Sequence, residues 1–450
     1  MCNMTLIRRS PVALLIWGMT VVSAVNCLAG TTHADDQTPA SPYSGEFFSR
    51  STLTGDWGGL RNQLAAKGVT FDINLVLTEQ GVVNGGTDRE WENGGRGDLL
   101  LKVDTGKLGL WPGGFLTAEL EGNFGKGVNL RNGGLSPVNT NQIFPIPGEE
   151  NLLLPALNLT QFLSEYAGVV VGKLDTVAGG DMNEFAHGKG DTQFMNLALN
   201  LNPALMLTVP YSTLGAGVII LPTKDFNAAI ITFSVVSAVG SPSHSGFGEL
   251  NSGKLTYVGE ARVRTDFFGL TGHQLIGGVY SNKDYTSIDQ RVSLSPGSNS
   301  IAQKTDSWAV FYNFDQYLYE PVKGSGKGLG IFGRFAATDG NPNLFQYFYS
   351  LGVGGKGVMA SRPHDRFGVG WYYLDIKSPT FTGPLATREF LGNEQGVEAY
   401  YSVALTQWAH LTPNIQIIHG AQEKTIALLP ADRKEIDTAT IMGLRLQLMF

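Results

Sequence analysis

The last ten residues of the chain, 441–450, alternate strictly between two kinds of side chain. One set carries the polar groups of Arg445 and Gln447. The other set is entirely apolar and consists of Met442, Leu444, Leu446, Leu448 and Phe450. A repeat of two residues predicts a β-strand whose two faces meet different environments. In a soluble sandwich, which is the alternative, an apolar terminal strand leaves a free edge that invites aggregation. In a closed transmembrane barrel it pairs with the first strand and faces lipid, so the pattern favours the barrel.

The same alternation recurs along the chain in segments of about ten residues, the length of a membrane-spanning strand. Some connections are much longer than the turns at every 8–12 residues that are typical of a soluble sandwich. The candidate strands lie near 71–78, 98–104, 116–123, 165–175, 203–209, 214–221, 227–237, 255–267, 273–282, 307–318, 328–338, 345–354, 366–376, 395–406, 414–420 and 441–450. We therefore expect an all-β fold, a transmembrane antiparallel β-barrel of about 16 strands, with counts of about fourteen or eighteen as alternatives.

The first 34 residues have the pattern of a secretory signal peptide. Two arginines at positions 8 and 9 precede an apolar stretch, 12–25, and small residues at 32–34 suit a cleavage site. Cleavage after Ala29 is an alternative, and so is a single membrane anchor, although the apolar stretch is short for a spanning helix. We expect residues 1–34 to be a signal peptide, 35–52 a flexible segment and 53–450 the barrel, with a short helix near 58–67.

Composition agrees with an exported barrel. Both cysteines, Cys2 and Cys27, lie within the predicted signal, so the mature chain relies on no disulfide. Removal of the two signal arginines from the 32 basic residues leaves 30 against 39 acidic residues, a net charge of −9, which argues against nucleic acid as a partner. The 58 glycines, in a chain with only 16% charged residues, suit short strands and tight turns.

Two connections between the predicted strands are long, about 124–163 and 176–202. A long ordered loop in a barrel can fold inward and narrow the lumen. We expect one of these two connections to form the constriction, and a loop that covers the rim is the alternative for each.

Five stretches of the sequence together resemble one protein family. They are 53–61 (LTGDWGGLR), 107–111 (KLGLW), 339–343 (DGNPN), 362–368 (RPHDRFG) and 393–398 (NEQGVE), followed by 405–413 (LTQWAHLTP). In this order the chain resembles the carbohydrate-selective porins of the OprB family. The resemblance implies a sixteen-stranded multi-pass barrel in the outer membrane of a Gram-negative bacterium. It also implies passive diffusion of small carbohydrates, such as glucose and other monosaccharides, without a cofactor.

The expected partners are small carbohydrates and outer-membrane lipid, and association into a homotrimer remains open beside a monomer. A general, non-selective diffusion porin is the alternative function. A gated receptor would need a folded plug domain, for which the segment before the first strand is too short.

Strand parity places a set of charged side chains on the lumen face, because a charged group facing lipid costs about 2–4 kcal/mol at mid-bilayer for Lys or Arg. The proposed channel-lining residues are Lys102, Glu119, Glu121, Glu260, Arg262, Arg264, Asp266 and Arg334. Hydroxyl-rich solutes can exchange water hydrogen bonds for bonds to such groups. The alternative is that these charges only neutralise one another as wall pairs while a loop sets the selectivity.

A barrel-embedded hydrolase is the third candidate. Glu119 and Glu121 lie on one strand face about 7 Å apart, a spacing compatible with paired glycosidase carboxylates. The histidines are scattered, and none lies in a nucleophile motif or at metal-ligand spacing. We therefore expect no enzyme activity, no catalytic residue, no cofactor and no metal.

Overall fold

The computed structural model describes residues 43–143, 152–177, 181–241, 246–291, 301–382, 391–424 and 434–450. The predicted signal peptide, 1–34, and the first part of the predicted flexible segment, 35–42, lie outside the described residues. The rest of that segment contacts the barrel, since the Trp408 indole donates a hydrogen bond of 2.8 Å to the carbonyl of Phe47. Within the described residues, no helix is long and apolar enough to span a membrane.

Sixteen strands form one closed barrel in which every neighbouring pair is antiparallel. They are β1 Val69–Asn84, β2 Trp91–Asp104, β3 Gly114–Gly125, β4 Leu152–Ser164, β5 Ala167–Asp175, β6 Ser212–Ile220, β7 Ala229–Ser237, β8 Leu255–Thr265, β9 Gly272–Ser281, β13 Ser307–Tyr319, β14 Gly328–Thr338, β15 Phe345–Lys356, β16 Arg366–Ile376, β18 Glu394–Ala404, β19 Ala409–His419 and β20 Ala439–Met449. The first and last strands pair with each other, with Leu77 opposite Leu446. The predicted sixteen-stranded barrel is confirmed.

The remaining elements lie outside the barrel wall. Two small sheets join β10 Tyr285–Thr286 to β12 Gln303–Lys304 and β11 Asp289–Arg291 to β17 Thr380–Thr382. The helices are α1 Leu60–Ala66 and α2 Leu197–Asn200, with 3₁₀ turns at Thr140–Gln142, Pro203–Leu205, Phe247–Ser252 and Phe267–Gly269. Helix α1 agrees with the helix predicted near 58–67. It is fixed to the barrel through buried Arg61, whose guanidinium lies 4.0 Å from the ring centre of Tyr43 and donates to the carbonyl of Phe71.

The two ends of the barrel differ. One end, which we call the turn rim, carries short connections such as 165–166 and 405–408, together with α1. At the other end, which we call the loop rim, the strands are joined by long connections, such as those from β3 to β4 and from β5 to β6. Short periplasmic turns and longer extracellular loops are the usual arrangement of outer-membrane barrels.

Two strand assignments from the sequence are wrong. Strand β4, Leu152–Ser164, was expected to be part of a long connection because Pro155 interrupts a continuous apolar run. In the structure, Pro155 lies at a register shift opposite Glu119 and Glu121, where its missing N–H breaks no ladder bond. The expected strand at 203–209 is instead a 3₁₀ turn, because the side chain of Asn202 accepts from the amide of Ala204 and starts a helical turn at Pro203.

The last strand has the two faces that its alternation predicts. Met442 and Leu444 are exposed on the outer surface, whereas Arg445 and Gln447 are buried on the lumen side. A closed ladder satisfies the backbone groups of β20 on both sides, through β1 and β19. The strand therefore has no free edge, and its apolar row can face lipid.

Replacing Leu444 by arginine tests this orientation. Leu444 is near the middle of β20 on the outer face, so a charge there should destabilise the inserted barrel by about 2–4 kcal/mol and reduce assembly. Heat-modifiable electrophoretic mobility of protein extracted from membranes measures the folded fraction. Leu444→Phe is the matched control and should assemble normally, and equal assembly of the two variants would contradict a lipid-facing Leu444.

Candidate functional site

In its described parts, 176–177 and 181–211, the long connection between β5 and β6 folds into the barrel lumen instead of lying on the loop rim. Loops normally run over a protein surface, yet Phe194 and Met195 of this segment are completely buried. The Phe194 ring lies 5.4 Å from the ring of Phe332 in β14 and 4.9 Å from that of Tyr400 in β18. We call residues 176–177 and 181–211 the luminal loop. The expectation that one long connection folds inward is therefore met by this segment.

Lys189 fixes the luminal loop to one side of the barrel wall. Its ammonium group lies 2.9 Å from Glu119 and 2.8 Å from Glu121 of β3, and 2.6 Å from Asp175 at the end of β5. The Tyr211 hydroxyl also donates a hydrogen bond of 2.6 Å to Glu121. Burial by itself lowers the pKa of Lys189, but the carboxylates around it raise that pKa well above its usual range. Lys189 is therefore a buried cation held by acidic wall residues.

Arg96 of β2 forms the neighbouring cationic contact. Its guanidinium lies 3.0 Å from Asp98 on the same strand and 2.7 Å from Asp191 of the luminal loop. Asp98, Glu119 and Glu121 also bring carboxylate oxygens within 4.8 Å of one another, a geometry that could hold a metal ion. The ammonium of Lys189 already binds two of these three carboxylates, so the structure gives them a partner of its own.

Two cavities meet at these cations. One extends toward the loop rim and is lined by residues such as Asn123 and Leu201. The other, of about 420 Å³, extends toward the turn rim past Asp72. Arg96 and Lys189 line both cavities. The two residues are therefore shared by two cavities that lie next to the contact between the luminal loop and strands β2 and β3.

Arg334 of β14 holds the luminal loop from the opposite wall. It binds both carboxylate oxygens of Asp181 and donates to the carbonyls of Ala186, Leu199 and Asn200. This set of bonds uses the planar fork of a guanidinium, which a lysine could not reproduce. Arg334 therefore anchors both the beginning and the end of the loop.

Two further wall residues complete the attachment. Glu398 of β18 accepts hydrogen bonds of 2.7 and 2.8 Å from the amides of Met195 and Asn196. Arg445 of β20 donates to the carbonyls of Gly190 and Gln193. The polar face of the last strand, recognised in the sequence from its alternation, thus contacts the loop rather than open solvent.

A second segment also enters the lumen from the loop rim. In the described part of the connection between β3 and β4, 126–143, the side chain of Asn141 donates a hydrogen bond of 2.6 Å to Gly190 of the luminal loop, and the Gln416 amide of β19 donates one of 2.8 Å to Val138. The first of the two long connections therefore packs against the luminal loop, although β4 makes it shorter than expected.

The structure places the eight predicted lining residues in three settings. Glu119, Glu121 and Arg334 contact the luminal loop as described. Glu260 and Arg262 are buried on the lumen face of β8, and Arg262 also donates a hydrogen bond of 3.4 Å to the carbonyl of Met182 in the luminal loop. The remaining three, Lys102, Arg264 and Asp266, lie nearer the turn rim. Lys102 is 3.6 Å from Asp72, and Arg264 is 3.5 Å from Asp266. Asp266 is exposed because β8 ends at Thr265.

Several residues at the contact between the luminal loop and strands β2 and β3 were not predicted from the sequence. Arg96 could have been found, because it shares the parity of Asp98 on a strand that begins earlier than expected. The charged residues of the loop, Asp181, Lys189 and Asp191, carry no periodic signal. Their roles depend on the path of the loop, which strand patterns do not specify.

The comparisons with known proteins decide the family. The model of the carbohydrate-selective porin, OprB family, matches residues 88–450. The chain belongs to this family. It is 23% identical to Porin B of Pseudomonas aeruginosa over 91% of this chain and 94% of that protein. This OprB-family chain is accordingly a multi-pass outer-membrane protein and a carbohydrate-selective porin.

Solved structures support the fold of this OprB-family barrel. A structure of Pseudomonas putida OprB at high pH matches with a TM-score of 0.74, at 21% identity, over 90% of this chain and 100% of that one. A structure of the same protein at low pH matches with a TM-score of 0.53, at 17% identity, over 89% of this chain and 99% of that one. At these identities the likeness shows the shared barrel fold.

Proposed function

We propose that monosaccharides such as glucose cross the outer membrane by passive diffusion through the gap beside Arg96 and Lys189. The observation that carries this proposal is that the same two cations line the cavities on both sides of the luminal loop. A solute that moves from one end of the barrel to the other then passes these residues.

The chemistry of the gap suits neutral, hydroxyl-rich solutes. Arg96 and Lys189 are paired with Asp98, Asp191, Glu119, Glu121 and Asp175 at 2.6–3.0 Å, so hydrogen-bond donors and acceptors lie side by side. A sugar hydroxyl can exchange its hydrogen bonds to water for bonds to such groups at little net free energy. We propose that the other predicted lumen residues, including Glu260 and Arg262, contribute the wall of the wider vestibules.

The hydrolase alternative finds no support at its candidate pair. Glu119 and Glu121 both accept hydrogen bonds from Lys189, so the pair takes part in the attachment of the luminal loop. We propose a channel that makes no covalent change. A general diffusion porin remains the second candidate, and trimer formation remains a prediction that crosslinking in native membranes can test.

Swelling of liposomes that carry the refolded protein separates the two channel types. Glucose and arabinose should enter the liposomes faster than a disaccharide or an amino acid that, like the sugars, has no net charge. Ion conductance should be small and should fall when glucose is added. Equal swelling rates for all small solutes, with a large conductance that glucose leaves unchanged, would instead identify a general porin.

Replacing Arg96 by alanine tests the gap itself. The change leaves Asp98 and Asp191 without their cation, so the gap becomes more negative. We expect the reversal potential in a KCl gradient to shift toward cation selectivity and the block of the current by glucose to weaken by about tenfold, the loss of one charge-assisted hydrogen bond.

Arg131→Ala is the control for that experiment. Arg131 is paired with Asp88, Glu90 and Glu92 at the loop rim and does not contact Arg96 or Lys189. Its loss should leave the glucose block unchanged. If the Arg96 and Arg131 variants behave alike, solutes do not pass beside Arg96.

A further inference from the structure

Two lumen-facing cations lie directly opposite each other at the turn rim. Lys356 is the last residue of β15 and Arg366 is the first residue of β16, and the two are register partners. Each has the parity of a buried wall residue on its own strand, Phe348 on β15 and Tyr372 on β16. Both side chains therefore point into the lumen, on the far side of the luminal loop from the loop rim.

These two cations differ from three lumen cations described above. Arg96, Lys189 and Arg334 are each paired with carboxylates. Lys356 and Arg366, by contrast, have no carboxylate within 4.0 Å and no side-chain hydrogen bond among the residues that the structure describes. Like charges directly opposite each other in a sheet are destabilising. The pair of Lys356 and Arg366 therefore does not contribute to the stability of the fold.

The surroundings add to the positive charge. His364, in the turn between β15 and β16, has a lowered pKa because of its partial burial and then because of nearby Lys327, Lys356 and Arg366. Among the nearby acidic residues, Glu184 of the luminal loop already accepts a hydrogen bond of 2.9 Å from the Tyr317 hydroxyl, and Asp365 is paired with Arg362 at 2.8 Å. A net positive potential therefore remains in this part of the lumen.

Uncharged polar groups and one carboxylate lie beside the two cations. Lys356 and Arg366 line a small cavity of about 20 Å³ beneath the luminal loop together with Glu184, Tyr317, Tyr400 and Gln193. Phenol and amide groups can exchange hydrogen bonds with sugar hydroxyls, while a guanidinium can bind a carboxylate through two parallel bonds. The wall around this cavity thus presents both kinds of contact to an acidic sugar in the lumen.

We propose that Lys356 and Arg366 form a subsite for the carboxylate of a sugar acid that crosses the lumen. This inference deepens the proposed function and rests on it. Arg366 supplies the planar fork and Lys356 the second positive charge, so a carbohydrate with a carboxylate is bound in preference to the corresponding neutral sugar.

Block of the ion current through single channels tests the proposal. D-glucuronate and D-glucose are titrated against wild type, Lys356→Gln, Arg366→Gln and the double variant. In wild type the half-blocking concentration of glucuronate should be about tenfold lower than that of glucose, since one charge-assisted bond is worth about that factor. In the double variant the two values should be equal, while the value for glucose stays as in wild type.

Lys107→Gln is the matched control, because it removes one exposed positive charge at the same rim without touching the lumen pair. It should retain the preference for glucuronate. Heat-modifiable mobility should show that the double variant folds, since the change separates no ion pair and removes a repulsion.

The outcomes separate this inference from the proposed function. If glucose neither swells liposomes nor blocks the wild-type current, the proposed function fails. If glucose passes and glucuronate has no advantage in wild type, the subsite is absent. If the double variant changes the reversal potential in KCl but keeps the preference for glucuronate, the cations act on small ions only and the proposal is overturned.

Discussion

Replacement of Lys189 by methionine should release the luminal loop and widen the channel. The change leaves Glu119, Glu121 and Asp175 buried without their shared cation. Breaking a buried ion pair by removing one partner costs about 3–5 kcal/mol. Lys189 is not part of the hydrogen-bonded strands of the barrel, so its loss should destabilise the attachment of the luminal loop and not the barrel itself. We expect a several-fold larger single-channel conductance and entry of disaccharides that wild type excludes.

Conductance in bilayers and liposome swelling measure this effect, with Lys224→Met as the control. Lys224 is paired with Glu165, but both side chains are exposed at the turn rim. An exposed pair contributes only about 0–1 kcal/mol, so the control channel should behave like wild type. Unchanged conductance and unchanged exclusion of disaccharides in the Lys189 variant would mean that other contacts hold the loop.

Replacement of Arg334 by methionine should free the same loop from the opposite wall. The variant loses the bonds to Asp181 and to the loop carbonyls at once, and it leaves Asp181 as a half-buried charge without a partner. We expect faster hydrogen exchange of the amides of residues 181–200, measured by mass spectrometry in detergent. The exchange of strand amides in the barrel wall should stay slow, because local opening does not require the ladder to open.

Arg334→Lys is the conservative control and should have an intermediate effect, since lysine keeps the charge but not the fork. The double variant with Lys189→Met gives a second test. If either change alone releases the whole loop, the second should add little, and the two effects on exchange should not be additive. Additive effects would show that the two ends of the loop are held independently.

Much of the fold was predictable because a membrane barrel obeys a local rule. In β20, alternation alone assigns Leu444 to the lipid face and Arg445 to the lumen face, because lipid accommodates apolar side chains and excludes charged ones. The same rule placed Glu119, Glu121, Arg262 and other charges on the lumen side. No knowledge of neighbouring strands was needed for these assignments.

The rule failed where local chemistry competed with it. Pro155 interrupts an apolar run and suggests a connection, but a register shift against β3 accommodates it within β4. The segment after Asn202 has apolar residues that look like a strand, yet side-chain capping turns it into a 3₁₀ helix. In both cases the deciding contacts join residues that the sequence pattern treats as separate.

The sequence by itself determined that this chain forms a closed outer-membrane barrel, because alternating residues must divide between lipid and lumen. Only the tertiary structure decided what narrows that lumen. Glu119 and Glu121 were expected to face the channel, and they bind Lys189 of a loop that lies 68–70 residues further along the chain. The position of that loop depends on many buried charge contacts with several strands, and such contacts form only after the barrel has brought those strands into a ring.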